Sequence, residues 1–249
     1  MKVLLIGHSY LEKENQKNLD YLSKLVKLYI ISPNSSDGMI FNYVSNEKTI
    51  SRNNWKMFLF DKIRIPFVNT AIFFLKSKNL LINKLKPDII HIEYDPFTPI
   101  FLQVILYKLL FLSKARIVCT IKQNTFTKRN FIIDNLKIIL AKILSKFVNE
   151  FICVNLDVEL LYKQIFRQKH KKFNNCTHLG VDTQIFKFTS NKNKLNIMKK
   201  FKFNHDSFCV GYVGRLIEYK GVLELIDGID HINKKYKINI QLSLVGSGP

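Results

Sequence analysis

The chain has 249 residues, of which 47% are hydrophobic and 23% charged. This suffices for one large domain, or one domain and part of another, and excludes intrinsic disorder. The formal net charge of +20 invites a nucleic-acid partner, but nearly all the basic residues are Lys, and Lys, Asn, Ile and Phe are abundant together, as a compositional bias would produce.

Taken in chain order, apolar strand-like runs alternate with helical patterns. KVLLIG (residues 2–7) predicts a short buried strand. Residues 11–27 predict a helix through Leu19, Leu22, Leu25 and Val26, and KLYIISP (27–33) a second strand stopped by Pro33. A less regular region follows, with candidate strands at 39–44 and 56–60, and then an amphipathic helix at 67–85. Next come strand DIIHIE (88–93), helix 97–112, strand RIVCTI (116–121), helix 131–148, strand EFICVN (150–155) and helix 158–168. Such alternation with continuously apolar strands signals a parallel sheet covered on both faces, which binds ligands beyond the C-terminal ends of its strands.

Composition shifts near residue 180. Six of the nine glycines fall between Gly211 and Gly248, and residues 183–205 carry six lysines and no acid, which reads as a solvated connector with a short helix. A strand at FCVGYVG, a helix at 220–236 and a strand at INIQLSLVG complete one β-α-β, whose helix can cover only one side of two strands. The expected fold is α/β: a complete Rossmann-like parallel-sheet domain over residues 1–182, a basic connector over 183–206, and the first β-α-β of a second Rossmann-like domain over 207–249.

No run reaches the eighteen or so uninterrupted apolar residues of a membrane span; the nearest, 99–112, is broken by Gln103 and Lys108. The N-terminus turns polar too soon for a secretory signal. Cys119, Cys153, Cys176 and Cys209 lie far apart beside apolar runs, which reads as reduced core thiols of a cytoplasmic protein, with no metal site. Residues 107–149 carry nine basic residues and one acid, Asp134, mixed with apolar runs. That mixture suits an anionic membrane surface, or solvated helices over a buried sheet, better than a DNA groove. No nucleic-acid recognition motif stands out, and no GxGxxG follows the first strand.

The strongest chemical signal is GYVGRLIEYKG, residues 211–221. A strand ends at Gly214-Arg215 and a helix starts near Lys220-Gly221. Glycine permits close backbone approach, Arg215 offers a planar fork of donors, Lys220 a point charge, and the helix start its N–H groups. Together these suit a diphosphate, although a strand–turn–helix with surface charges has the same spacing.

This segment, its helix and the ending LVGSGP resemble the nucleotide-sugar domain of retaining glycosyltransferases of family 4, which have the GT-B fold. HLGVDTQIF (178–186) resembles the segment that closes the N-terminal domain there, and PDIIHIEYDPFT (87–98) resembles a strand–loop segment of a bacterial subset. The resemblance implies that Arg215 and Lys220, with Gly214 and Gly221, bind the donor diphosphate, and that Gly246 and Gly248 lie near the nucleotide. Glu93 and Asp95 are acceptor-side candidates facing an interdomain cleft; Asp95-Pro96 reads equally as a helix N-cap. Gln123 and Asn124 are acceptor contacts or turn residues, and His8 lines the cleft or is a solvated loop residue.

The resemblance also implies retention of configuration, no metal or other cofactor, and a nucleotide sugar as donor. The acceptor would be a cell-envelope polysaccharide or glycolipid, with the protein peripheral on the inner face of the membrane. Two departures stand out. Relatives carry a glycine pair where this chain has only Gly7, and their C-terminal acidic motif falls beyond residue 249. A fragment or truncated form is therefore expected, and a non-catalytic acceptor- or membrane-binding half, needing a separate donor domain, is the alternative.

Overall fold

The computed structural model describes residues 1–35, 45, 47–52, 54–61, 84–112, 114–123, 131–167, 172–175, 180–204 and 207–248. The strand expected at 39–44 lies outside these residues, as does nearly all of the helix expected at 67–85. The described residues divide into two compact units, one holding those up to Asn175 and the other those from Gly180 on.

The first unit is built on an eight-stranded sheet in the order β3-β4-β2-β1-β5-β6-β7-β8. Its strands are β1 (Lys2–Ile6), β2 (Lys27–Pro33), β3 (Thr49–Arg52), β4 (Trp55–Phe60), β5 (Ile89–Ile92), β6 (Arg116–Ile121), β7 (Glu150–Cys153) and β8 (Lys172–Asn175). All neighbours pair in parallel except β3, which runs antiparallel to β4. Its helices among the described residues include α1 (Lys13–Leu22), α2 (Pro99–Phe111), α3 (Phe131–Ser145) and α4 (Leu156–Phe166).

Strand alternation sorts the core into two layers. Val3, Leu5, Leu28, Ile30, Trp55, Met57 and Leu59 face one way and pack with Leu19 of α1. Leu4, Ile6, Ile31, Ile90, Ile92, Ile117, Cys119, Phe151 and Cys153 face the other way, against Phe101 and Val104 of α2, Ala141 and Leu144 of α3, and Val158 and Tyr162 of α4. The connection from β1 moves one way along the sheet and those from β5, β6 and β7 move the other. Right-handed crossovers therefore put α1 on the opposite face from α2–α4. The strand order reverses between β1 and β5, which creates a crevice at their C-terminal ends.

The helix starts follow local chemistry. The Thr98 hydroxyl accepts from the Phe101 amide with Pro99 as first helical residue, and the Asn155 carbonyl oxygen accepts from the Val158 amide at 2.9 Å. The N-cap of α2 is thus Thr98, not Asp95 as the alternative reading of Asp95-Pro96 had it. No described helix is long and apolar enough to cross a membrane.

The second unit holds α5 (Asn191–Lys200), β9 (Phe208–Val213), a 3-10 turn (Glu218–Lys220), α6 (Val222–Tyr236) and β10 (Ile240–Val245). β9 and β10 pair in parallel over six residues. Among its described residues only Val222 is buried, and Phe208, Val213 and Cys209 are exposed. Cys209 is therefore not the core thiol expected, because α6 alone cannot cover both faces of two strands; Cys119 and Cys153 are buried as anticipated.

Candidate functional site

In the first unit a crevice of about 370 Å³ lies at the β1/β5 reversal, lined among others by Ser9, Tyr10, Asn15, His91, Glu93 and Lys122. Ser9 and Tyr10 follow β1, Glu93 follows β5 and Lys122 follows β6, so three adjacent strand ends supply the polar rim. Leu5, Leu19 and Leu22 supply an apolar wall. A larger hollow of about 660 Å³ around Met1, Lys27 and Trp55 sits at the N-terminal ends of the strands, away from where this topology places ligands.

Glu93 is buried and held on both oxygens. The Tyr10 hydroxyl donates to Oε1 at 2.5 Å, and the Lys122 ammonium approaches Oε2 at 3.3 Å. The Glu93 amide also donates to the Ile6 carbonyl at 2.8 Å, which fixes the loop to the end of β1. Burial, and then the Glu93 charge, push the Tyr10 hydroxyl well above its ordinary pKa, so it remains a proton donor. A Cβ at Gly7 would lie 2.7 Å from the Tyr10 ring, so this glycine lets the ring fold back onto the strand end.

Asp95 points elsewhere. The Lys122 and Gln123 amides hydrogen-bond to its carboxylate, and the Tyr162 hydroxyl donates to Oδ1 at 3.4 Å. Burial pushes its carboxyl above the ordinary value of 3.8, against these donors and the Lys122 charge. The carboxylate thereby ties the loop after β6 to the loop after β5. Asp95→Ala is expected to destabilise the first unit by about 2–4 kcal/mol in urea unfolding, because it orphans two amides and a buried hydroxyl. A carboxylate whose folded pKa is raised costs stability once ionised. Its contribution therefore falls as pH rises from about 4 through the folded pKa, and the variant should lose that slope.

His8 is exposed, with its ring 5.4 Å from Tyr94, and does not line the crevice. Gln123 is half-buried, and Asn124 lies outside the described residues. Tyr10 and Lys122, which hold Glu93, were not legible as partners, since 83 and 29 residues separate them from it.

In the second unit, β9 ends at Val213, and the chain passes through Gly214 and Arg215 to the 3-10 turn and α6. The Arg215 guanidinium donates from Nη2 to the Tyr219 hydroxyl at 2.6 Å and lies 5.7 Å from that ring's centre. The Lys220 ammonium lies 5.6 Å from the same centre. Two cations are thus gathered on one exposed aromatic ring, each drawn by its π face. Tyr219 was not singled out in the sequence, although its place in EYKG beside Lys220 was visible.

Gly221 is left-handed, with φ +69°, and serves as N-cap of α6 without a capping side chain. Glu224 stands in that first turn, so an anion arriving there would share the helix N-terminus with a carboxylate. Gly246 and Gly248 lie alongside the backbone of 214–216: the Gly214 amide donates to Val245 O and the Leu216 amide to Ser247 O, both at 2.9 Å. A Cβ on Gly246 or Gly248 would overlap the carbonyl of Gly214 or Leu216. Close chain packing is therefore reason enough for both glycines. In HLGVDTQIF, Asp182 accepts from the Gln184 amide at 3.0 Å and its carbonyl from Phe186, closing a turn. Among the described residues no three His, Cys, Asp or Glu side chains group as a metal site.

No protein-family model matches the chain. Over 93 residues, 36% of this chain, it is 37% identical to the capsular polysaccharide biosynthesis glycosyltransferase CapM of Staphylococcus aureus, a match covering 24% of that protein. The whole chain superposes on Anabaena Alr3699/HepE in complex with UDP, with a TM-score of 0.66, 13% identity and 62% of that chain covered. It also superposes on a structure described as trehalose-6-phosphate from E. coli bound with UDP-2-fluoro glucose, with a TM-score of 0.59, 10% identity and 65% coverage. The chain spans about a quarter of the curated relative and under two thirds of these solved structures. An eight-stranded, mostly parallel sheet followed by a short second parallel sheet is thus part of a GT-B glycosyltransferase fold, and the chain is similar over about a third of its length to an enzyme of capsular polysaccharide biosynthesis.

Proposed function

We propose that this chain supplies the acceptor-side domain and the diphosphate-gripping motif of a retaining glycosyltransferase that uses a nucleotide diphosphate sugar. The observation that carries this reading is the pairing of Arg215 and Lys220 on Tyr219 at a strand-to-helix junction. A departing diphosphate gains negative charge as the glycosidic bond breaks, and two fixed cations stabilise that charge more than they stabilise the ground state. The guanidinium presents a planar fork to phosphate oxygens, and the ammonium adds a point charge. The HepE structures hold UDP and UDP-glucose, which makes a uridine nucleotide the first donor to test. CapM's role in capsular polysaccharide biosynthesis supports a polysaccharide or lipid-linked acceptor on the cytoplasmic side. That acceptor would enter the crevice beside Glu93, Asn15 and His91, where Tyr10 and Lys122 hold Glu93 in place.

Titration calorimetry with UDP tests the reading. Binding in the micromolar range is expected, weakening with added salt as phosphate contacts are screened. A second reading, that the chain is an acceptor-binding half needing a separate donor domain, is favoured by the thin core of the second unit, where Val222 alone among the described residues is buried. No heat with UDP, UDP-glucose or GDP, from a chain whose first unit is folded, would select the second reading and reject the first.

A further inference from the structure

The hollow of about 660 Å³ at the N-terminal ends of the strands lies wholly within the first unit. Its wall includes Lys24 just beyond α1, Lys27 of β2, Arg52 of β3 and Lys56 of β4, and no Asp or Glu stands among its described lining residues. Four cationic residues from four elements therefore line one concavity, which has the size of a small-molecule site. The carbonyl end of α1 accounts for Lys24, since cations are favoured at a helix C-terminus. It does not account for Lys27, Arg52 and Lys56, which three strands deliver.

Most of these cations rest on aromatic rings rather than on carboxylates. The ammonium groups of Lys24, Lys27 and Lys56 lie 4.9, 5.9 and 5.5 Å from the ring centres of Tyr21, Tyr29 and Phe58. Among the described residues no ion pair involves any of the three. Arg52 pairs with Asp20 at 3.6 Å, and the same carboxylate accepts from the Trp55 indole N–H at 2.6 Å. The guanidinium lies 5.8 Å from the centre of the Trp55 ring. A π face steadies a cation without cancelling its charge, so the hollow keeps a positive excess.

We propose that this hollow binds a small anion carrying two or more linked phosphoryl groups, at the opposite end of the sheet from the crevice beside Glu93. A guanidinium fork matches phosphate oxygens and ammonium groups add point charges, so linked phosphoryl groups can meet cations from several strands at once. Four cations and the neighbouring Asp20 leave an excess of three charges, which a diphosphate or triphosphate offsets and a single carboxylate does not. Arg215 and Lys220 belong to the other unit, so this site stands whether or not the donor reading holds.

Trp55 is the chain's only tryptophan and lines the hollow, so its fluorescence reports occupancy directly. An anion that draws Arg52 away from Asp20 changes the charge beside the indole ring. Titration with sodium tripolyphosphate is expected to give a saturating change with a midpoint below about 1 mM. Pyrophosphate should bind more weakly, and orthophosphate more weakly still. ATP separates two sources of the same chemistry: a tighter midpoint than that of tripolyphosphate names a nucleotide, and an equal or weaker one a bare polyphosphate. Lys27→Gln and Lys56→Gln should each weaken binding about five-fold, and the double variant about twenty-fold. Both side chains are exposed and circular dichroism checks each fold, while the ranking of anions on wild type stands without any variant. Arg215→Ala should leave the response unchanged. The proposal is overturned if the fluorescence does not move, or moves only as far as sodium chloride of equal ionic strength moves it. It is also overturned if the double variant keeps the wild-type midpoint, or if Arg215→Ala abolishes the response.

Discussion

Arg215→Ala is expected to lower UDP affinity roughly 30- to 700-fold, equivalent to about 2–4 kcal/mol, with the fold of the first unit unchanged. The size of the effect follows from what the guanidinium does in place. It donates to the Tyr219 hydroxyl and lies against that ring beside the Lys220 ammonium. Two like charges close to one ring repel each other, and the π face only partly offsets this. A diphosphate removes that repulsion while accepting from both. Arg215→Lys keeps the charge but loses the planar fork, so it should recover only part of the affinity. Lys220→Ala should cost less than Arg215→Ala, because a solvated point charge at the start of α6 gives up fewer directed hydrogen bonds. Titration calorimetry with UDP reads all three variants, and unchanged affinity in Arg215→Ala would refute the donor-site reading.

The parallel sheet was legible because its strands are buried on both faces and read as continuous apolar runs: KVLLI, KLYIISP and RIVCTI each became the strand expected. β3 and β8 were missed for a physical reason. TISR and KFNN are four-residue edge strands with polar or charged ends, and an edge needs no apolar run. Phe173 of β8 stacks on Phe151 at 5.2 Å, a contact between residues of separate strands that no local pattern announces. The cation motif could be read because glycine, arginine and lysine sit within eight consecutive positions of one turn. The settings of Glu93 and Asp95 could not. Their partners Tyr10, Lys122 and Tyr162 come from three other parts of the chain and meet only when the sheet forms. Burial of Cys119 and Cys153 but not Cys209 follows the same logic, since a place in a strand-like run buries a thiol only where a second layer covers the strand.

Gly246→Ala and Gly248→Ala should each unfold the β9–β10 junction while leaving the first unit intact. The new methyl group would overlap the carbonyl of Gly214 or Leu216, and both obstacles are backbone, which cannot swing aside as a side chain does. Relief requires breaking the Gly214–Val245 and Leu216–Ser247 hydrogen bonds, so the local cost is on the order of 3 kcal/mol or more. Gly211→Ala is the control. It lies in β9, its Cβ would meet nothing within 4 Å, and the variant's stability should change by less than about 1 kcal/mol. Hydrogen exchange of the Gly214 and Leu216 amides measures this directly: protection should collapse in Gly246→Ala and Gly248→Ala, persist in Gly211→Ala, and leave the β1 and β5 amides unaffected in all three. Retained protection at Gly214 and Leu216 in both glycine variants would show that the two segments do not run side by side as described. Arg215 sits between those two amides, so the pairing that needs the glycines also fixes where its guanidinium starts. The glycine variants should therefore lose UDP binding together with amide protection, whereas Arg215→Ala loses binding alone, and that difference separates the scaffold of the motif from its chemistry.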